Sequence, residues 1–394
     1  MIQYDFDRVI SRKGTGSMRW DGVEARYGEP DLIPLTTADM DFPVAVPIRE
    51  ALKKTAEFGI LGYTDAAPSY YEAVERRFAE KWGWEIRRDW VVHTPGIVSA
   101  VAFCIQGMTE PGDGVVLPVP MYHPFAPLIE GNGRTVLRAP LIQDERGCRL
   151  DFEALERQLA RPEAKLLIFC NPHNPIGRAW GYEELREVCR LCLKHGAVLL
   201  SDEIHCDFVY SGHVFCSAAR PMEDLGGLEH LVLCSSASKS FNIAGLQASN
   251  IVIPGAALRE RFQAVLNRQH MMELNMMGLA ATEAAYRSCD DWQAQVLAYL
   301  EKNRDFAADF LRRRVPGLRP VVPEATYMMW IDCRGLGLGP AELDHFFVHR
   351  AKVGLNPGPS FGPGGEGHVR LNFATPRPIL EEALRRIEAA VAQL

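Results

Sequence analysis

The chain has 394 residues, 47% hydrophobic and 24% charged, which is enough for two or three domain-sized units and excludes a disordered or fibrous polymer. A formal net charge of −7, with no Lys/Arg cluster along the chain, leaves no field to hold a phosphate backbone and excludes nucleic acid as the expected partner.

The opening residues, MIQYDFDRVISRKG, lack the apolar centre of a secretory signal, and no apolar run approaches the roughly 20 residues of a membrane span. A cytoplasmic protein with no membrane partner is expected. The ten cysteines are scattered, many of them in apolar segments, and read as reduced core thiols rather than a disulfide framework.

Further along, short β-rich runs alternate with longer helical patterns, the signature of parallel strands joined by crossover helices. The segment His93-Thr-Pro-Gly96-Ile97-Val98 reads as a turn opening a helix, a natural site for a phosphate. Strands are expected at GVVLPVP near 114, AKLLIFC near 164, AVLLSDE near 197, HLVLCSS near 230 and SNIVIP near 249. Between them, YEELREVCRLCLKH and ALRERFQAVLNRQH carry apolar residues at helical spacing. The first contains a Cys189-x-x-Cys192 pair; with Leu185 and Val188 it forms one helical stripe, and no second ligand pair lies nearby. After about residue 285 a long helical stretch, DDWQAQVLAYLEKNRDFAADFLRRR, ends before Pro316 and leads into shorter elements. The organisation expected is an amino-terminal arm over 1–47 that joins a small carboxy-terminal α/β unit over 286–394, and a large unit over 48–285.

In an open parallel sheet, ligands bind beyond the carboxyl ends of the strands, and three such ends are rich in polar residues. AKLLIFC runs into Asn171-Pro-His-Asn174-Pro-Ile-Gly177, AVLLS into Asp202-Glu203-Ile-His205, and HLVLC into Ser235-Ser236-Ala-Ser238-Lys239-Ser240. A lone lysine is commonly solvated surface. The small and apolar neighbours of Lys239 would instead desolvate its amine, lower its pKa and leave it able to form a Schiff base. Asp202 leaves a buried strand and calls for a cationic or hydrogen-bonding partner. Asn174 sits between two prolines that stiffen its loop, and a cis peptide at Asn174-Pro175 is plausible there.

An Asn-Pro loop, a strand-end Asp and a Ser-x-Ser-Lys, in that order, resemble the fold-type-I pyridoxal-phosphate enzymes, the aspartate aminotransferase superfamily. The resemblance implies a three-layer α/β/α fold with a smaller α/β domain at the carboxy end. It also implies pyridoxal 5′-phosphate as cofactor. By that resemblance Lys239 carries the cofactor as an imine, Asp202 pairs with the pyridine nitrogen, Asn174 bonds the ring hydroxyl, and Ser236 holds the phosphate with the Gly96, Ile97 and Val98 turn. Tyr122 is similar to the aromatic that stacks on the ring, against the alternative of a core tyrosine. Tyr63 resembles the residue that reaches the phosphate of a neighbouring subunit, which implies a homodimer with shared sites. Arg370 in HVRLNF resembles the arginine that clamps the substrate carboxylate, a surface salt bridge being the alternative. The glycine-rich stretch Pro357–Gly365 before it reads as a shaped loop. His205 either touches the cofactor region or is structural.

Nearly the whole chain, notably FDRVISRKGTGSMRWD, ADMDFP, TPGIVSAV, SDEIHCDFVYSGH and FGPGGEGHVRLNFATPR, resembles the MalY/PatB branch of cystathionine β-lyases. In that branch Ala38 and Asp39 would lie near the substrate, where their backbone could contact its carboxylate. One departure is Leu35-Thr36-Thr37, where the branch usually carries a tryptophan and a valine. The implied activity is cleavage of L-cystathionine or a related L-cysteine conjugate to thiol, pyruvate and ammonia, with Lys239 removing the α-proton. An aminotransferase would use the same residues. A regulator that has lost catalysis is the third reading, against which stand the retained Lys239, Asp202 and Arg370 and the lack of a basic module.

Overall fold

The computed structural model describes residues 2–144, 147–271 and 274–394. Its centre is a seven-stranded sheet. In chain order the strands are β1 (Val91–Thr94), β2 (Gly114–Val119), β3 (Thr135–Pro140), β4 (Ala164–Cys170), β5 (Val198–Asp202), β6 (Leu231–Ser235) and β7 (Ser249–Val252). They lie side by side as β1-β7-β6-β5-β4-β2-β3. The four neighbouring pairs from β6 to β3 are parallel.

Two features depart from the sequence expectation. The SNIVIP strand, β7, runs antiparallel to both β1 and β6, so the sheet is mixed rather than purely parallel. Period-two patterning and β-branched residues mark a strand but carry no information about its direction. In addition, VVHT and TVLRAP form β1 and the outer strand β3, neither of which was anticipated. The alternating burial of β3 suits an edge position, while β2, β5, β6 and β7 are buried along their whole length, as expected for strands covered on both faces.

Successive residues of the central strands feed two separate cores. Leu199, Leu231 and Leu233 enter one, with Leu185, Val188, Cys189 and Cys192 of α2 (Tyr182–His195). Leu200, Val232 and Cys234 enter the other, with the apolar faces of α1 (Ile97–Met108) and α4 (Ala256–Gln269). Helices on both faces make this an α/β/α sandwich. The Cys189/Cys192 pair is thus part of a buried helical stripe. That helix begins where the Glu184 carboxylate accepts from the Gly181 N–H at 2.9 Å, and it ends at Gly196 in the left-handed region.

The short α3 (Ala237–Ser240) follows β6 directly. Later in the chain α5 (Asp290–Arg314) leads to a four-stranded antiparallel sheet of β8 (Arg319–Val321), β9 (Met328–Asp332), β10 (Asn356–Pro357) and β11 (His368–Asn372), ordered β8-β9-β11-β10, and α6 (Arg377–Val391) closes the chain. The amino-terminal arm joins this part. Ile33–Pro34 pairs in parallel with Val353–Gly354, and the Asn372 N–H donates to the Leu35 carbonyl. Among the described residues no helix is long and apolar enough to cross a membrane.

Candidate active site

The carboxyl ends of β1, β4, β5 and β6 open onto one cavity, lined among others by Ala38, Gly96, Ile97, Val98, Tyr122, Cys170, Asn174, Asp202, His205, Ser238 and Lys239. Each strand delivers its residue by ending there. Asp202 is the last residue of β5, and Lys239 lies in the single turn of α3 after β6. Asn174 lies in the loop after β4, where Asn171-Pro172 and Asn174-Pro175 are both cis.

Burial pushes the Asp202 carboxyl up to about 6, although Oδ1 accepts from the Ile204 N–H at 3.2 Å and Oδ2 from the Cys170 thiol at 3.7 Å. No Lys or Arg is salt-bridged to Asp202 among the described residues, so the cavity floor holds an acid that a buried cation would keep ionised. Desolvation lowers the Lys239 amine to about 8, and its Nζ donates to the Ala38 carbonyl at 2.5 Å. Burial also lowers His205 to about 3, leaving a neutral imidazole whose Nδ1 has no hydrogen-bond partner.

At the other end of the cavity α1 begins at Gly96, whose φ of 147° favours a residue without a side chain. The first hydrogen bond back into the helix is from Ala100 to the Gly96 carbonyl, so the N–H groups of Ile97, Val98 and Ser99 remain free to bind an anion at the positive end of the helix dipole. Among the described residues Lys239 is the only Lys or Arg lining the cavity, so a phosphate there would rely on amides and hydroxyls.

Arg370 lies on β11, with Trp330 and Asn356 as its cross-strand partners, and is 2% exposed. Its Nη1 donates to Asn174 Oδ1 at 3.0 Å; its Nη2 donates to the Thr36 carbonyl at 2.9 Å and to Asn356 Oδ1 at 2.7 Å. The guanidinium sits 4.9 Å from the Phe361 ring centre, and Nε has no partner. A surface salt bridge is therefore excluded: this is a buried cation with no carboxylate of the described chain beside it, lowered by burial to about 10. The glycine-rich loop that precedes β11 is closely packed. A Cβ on Gly358 would lie 1.9 Å from the Gly365 carbonyl oxygen, and the Met121 N–H donates to the Phe361 carbonyl at 2.9 Å, fixing the loop against the Tyr122 segment.

Four of the expected site residues do not line this cavity: Arg370, which adjoins it through Asn174, and Ser236, Asp39 and Tyr63. Ser236 spends its hydroxyl as the cap of α3, accepting from the Ser238 N–H and donating to the Ala248 carbonyl at 2.7 Å, so Ser238 lines the cavity in its place. The Asp39 carboxylate is held by Arg12 at 2.7 Å and Arg19 at 3.5 Å, and its N–H donates to the Thr37 carbonyl, leaving neither free for a substrate anion. Tyr63 is 99% exposed and far from contact with its own chain's site. Sequence reasoning missed Ser99, whose amide belongs to the same free helix end, and it attached no role to Cys170, the residue before the Asn-Pro loop.

The aminotransferase class I and II family model matches residues 30–387. The chain belongs to that family. Among its relatives, cystathionine β-lyase PatB of Bacillus subtilis is 40% identical over 98% of this chain and 100% of its own length. Protein MalY of Escherichia coli is 33% identical over 98% of this chain and 99% of its own length. The crystal structure of cystalysin from Treponema denticola, which contains a pyridoxal 5′-phosphate cofactor, superposes with a TM-score of 0.96 at 33% identity, with full coverage of both chains. For this family member the residues fit that cofactor. A desolvated amine, a buried carboxyl with no salt bridge among the described residues, a side-chain amide and a helix end with free N–H groups face one cavity, the donor and acceptor set that such a cofactor would need.

Proposed function

We propose that this protein is a pyridoxal-phosphate-dependent carbon–sulfur β-lyase that cleaves L-cystathionine or a related L-cysteine S-conjugate to a thiol, pyruvate and ammonia. The observation that carries the reading is the convergence of Lys239, Asp202 and Asn174 on one cavity, with the buried Arg370 bonded to Asn174 Oδ1 at 3.0 Å, in a chain 40% identical to a cystathionine β-lyase.

Bound pyridoxal 5′-phosphate supplies an electron sink for negative charge at the substrate α-carbon. The protein's residues do the rest. The α1 amides of Ile97, Val98 and Ser99, with Ser238, would hold the phosphate. Asp202 would keep a proton on the ring nitrogen, Asn174 Nδ2 would donate to the ring oxygen, and Tyr122 would hold the ring from one face. Arg370 takes the substrate carboxylate through Nε and Nη, with the Ala38 N–H beside it, and so fixes the α-carbon before Lys239. The amine of Lys239, neutral above pH about 8, accepts the α-proton on Nζ, after which a thiolate at the β-carbon leaves. We propose further that the protein works as a homodimer, in which Tyr63 of one chain reaches the phosphate site of the other. Exposure of 63–69% at Phe58, Ile60 and Leu61 around it supports this reading. The arm over 1–47 is proposed to move with residues 286–394 against 48–285.

The test is pyruvate release from L-cystathionine with no 2-oxo acid present, alongside the imine absorbance of the holoenzyme. Matching pyruvate and thiol, both lost in Lys239→Ala, are expected. Conversion to the pyridoxamine form without pyruvate would replace the lyase by an aminotransferase.

A further inference from the structure

Lys239 Nζ makes one hydrogen bond, to the Ala38 carbonyl at 2.5 Å, and that oxygen also accepts from the Tyr327 hydroxyl at 3.1 Å. The carbonyl is unusually well fixed. Asn372 Nδ2 donates to the Thr37 and Asp39 carbonyls on either side, at 2.6 and 2.9 Å, and Arg19 donates to the Asp39 carbonyl at 3.2 Å. Asn242, three residues after Lys239, accepts from the Met40 N–H and donates to the Met40 and Phe42 carbonyls, so the loop is tied to the turn that carries the lysine. Tyr327 itself is fully buried on the approach to β9, packed edge-on against His205 and Phe208.

A neutral amine has two N–H bonds and one lone pair, so anchoring one N–H to a fixed acceptor restricts where the lone pair points. We propose that the Ala38 carbonyl is the anchor to which the Lys239 amine returns whenever it is not bonded to the cofactor, and that Tyr327 is the positioning residue that holds this carbonyl and limits how strongly it attracts the lysine. The inference rests on the cofactor reading above. The Tyr327 hydroxyl shares the acceptor with Lys239, so it weakens the hold on the ammonium form and favours the neutral amine. The charged groups facing the amine are Asp39 and Asp202, which favour its protonation, and Arg370, which opposes it; His205 beside it is neutral. Burial keeps the Tyr327 hydroxyl protonated throughout the working range, so it remains a donor.

The experiment compares the full-length wild type with Tyr327→Phe, which removes one hydroxyl from a buried ring. In the apoprotein, the rate of imine formation with pyridoxal 5′-phosphate is followed by absorbance against pH. The wild-type rate should rise through about 8, and the Tyr327→Phe midpoint should move up by about 0.5–1 pH unit, the shift that loss of one ordinary hydrogen bond supports. Incorporating 3-fluorotyrosine at position 327, a more acidic and stronger donor, should move the midpoint down, which gives a second variant of opposite sign. In the holoenzyme, exchange of the substrate α-proton with deuterated solvent should slow in Tyr327→Phe while KM stays unchanged. Superimposable pH profiles and exchange rates in the folded variants overturn the proposal. A wild type that forms no imine overturns the cofactor reading itself, which is a separate and recognisable result.

Discussion

Asp202 shows what a buried acid costs a protein before its partner arrives. Its folded pKa of about 6 lies above the ordinary carboxyl value, so the folded apoprotein binds a proton more tightly than the unfolded chain, and stability falls as pH rises from about 4 to 6. An apo Asp202→Asn protein should therefore be more stable than apo wild type at pH 7, by about 3 kcal/mol at most, with the gain gone by pH 4. Urea unfolding at the two pH values checks this. Glu203, raised by burial to about 7, contributes a parallel fall that remains in the variant. Arg370 follows the same logic with opposite charge. Arg370→Met removes a buried cation that no carboxylate balances, so the fold should survive, while kcat/KM for the amino acid should drop by about 10²–10³-fold. Both residues were legible in the sequence, since each ends or occupies a strand and neither type is buried without a reason. Ser236 and Asp39 lie outside the cavity lining because their orientation depends on partners that spacing does not reveal: a cap bond to Ser238, and arginines 20 and 27 residues away.

At the level of elements, the end of β1 and the start of α1 form the proposed phosphate site. Gly96 occupies a backbone region that side chains disfavour by about 1–3 kcal/mol, so Gly96→Ala should shift the α1 amides and weaken pyridoxal 5′-phosphate binding by about 10–100-fold. Pyridoxal without its phosphate should bind the variant and wild type alike, and titration of the imine absorbance with both compounds distinguishes the two cases. The helix opening at 97 was readable from its turn, and four of the five expected strands lie parallel in the sheet as anticipated. The reversal of β7 was not readable, because direction is set by which neighbours a strand meets. β1 and β3 escaped notice because one is four residues long and merges with its turn, and the other alternates polar and apolar residues at an edge.

For the molecule as a whole, the sandwich fold and the second sheet follow from the alternation of patterns along the chain. The exposed Phe58, Ile60, Leu61 and Tyr63 are the patch on which the proposed dimer rests. Sedimentation should give twice the monomer mass. Tyr63→Phe should leave that mass unchanged and lower cofactor affinity, whereas a monomeric wild type would remove the shared-site proposal.

The ionic cluster that joins the arm to the site loop carries a practical consequence. Arg12 and Arg19 neutralise Asp39 and Asp41, with Trp20 Nε1 and the Thr375 hydroxyl also donating to Asp41, while most of residues 7–16 lie exposed on the surface. A protease that clips this arm after Arg12 would leave Asp39 and Asp41 to share Arg19 alone, in the loop whose carbonyls hold Lys239 and Arg370. Limited digestion of that surface stretch should therefore lower activity before it unfolds the protein, a loss that reaches the lysine through the backbone of one loop.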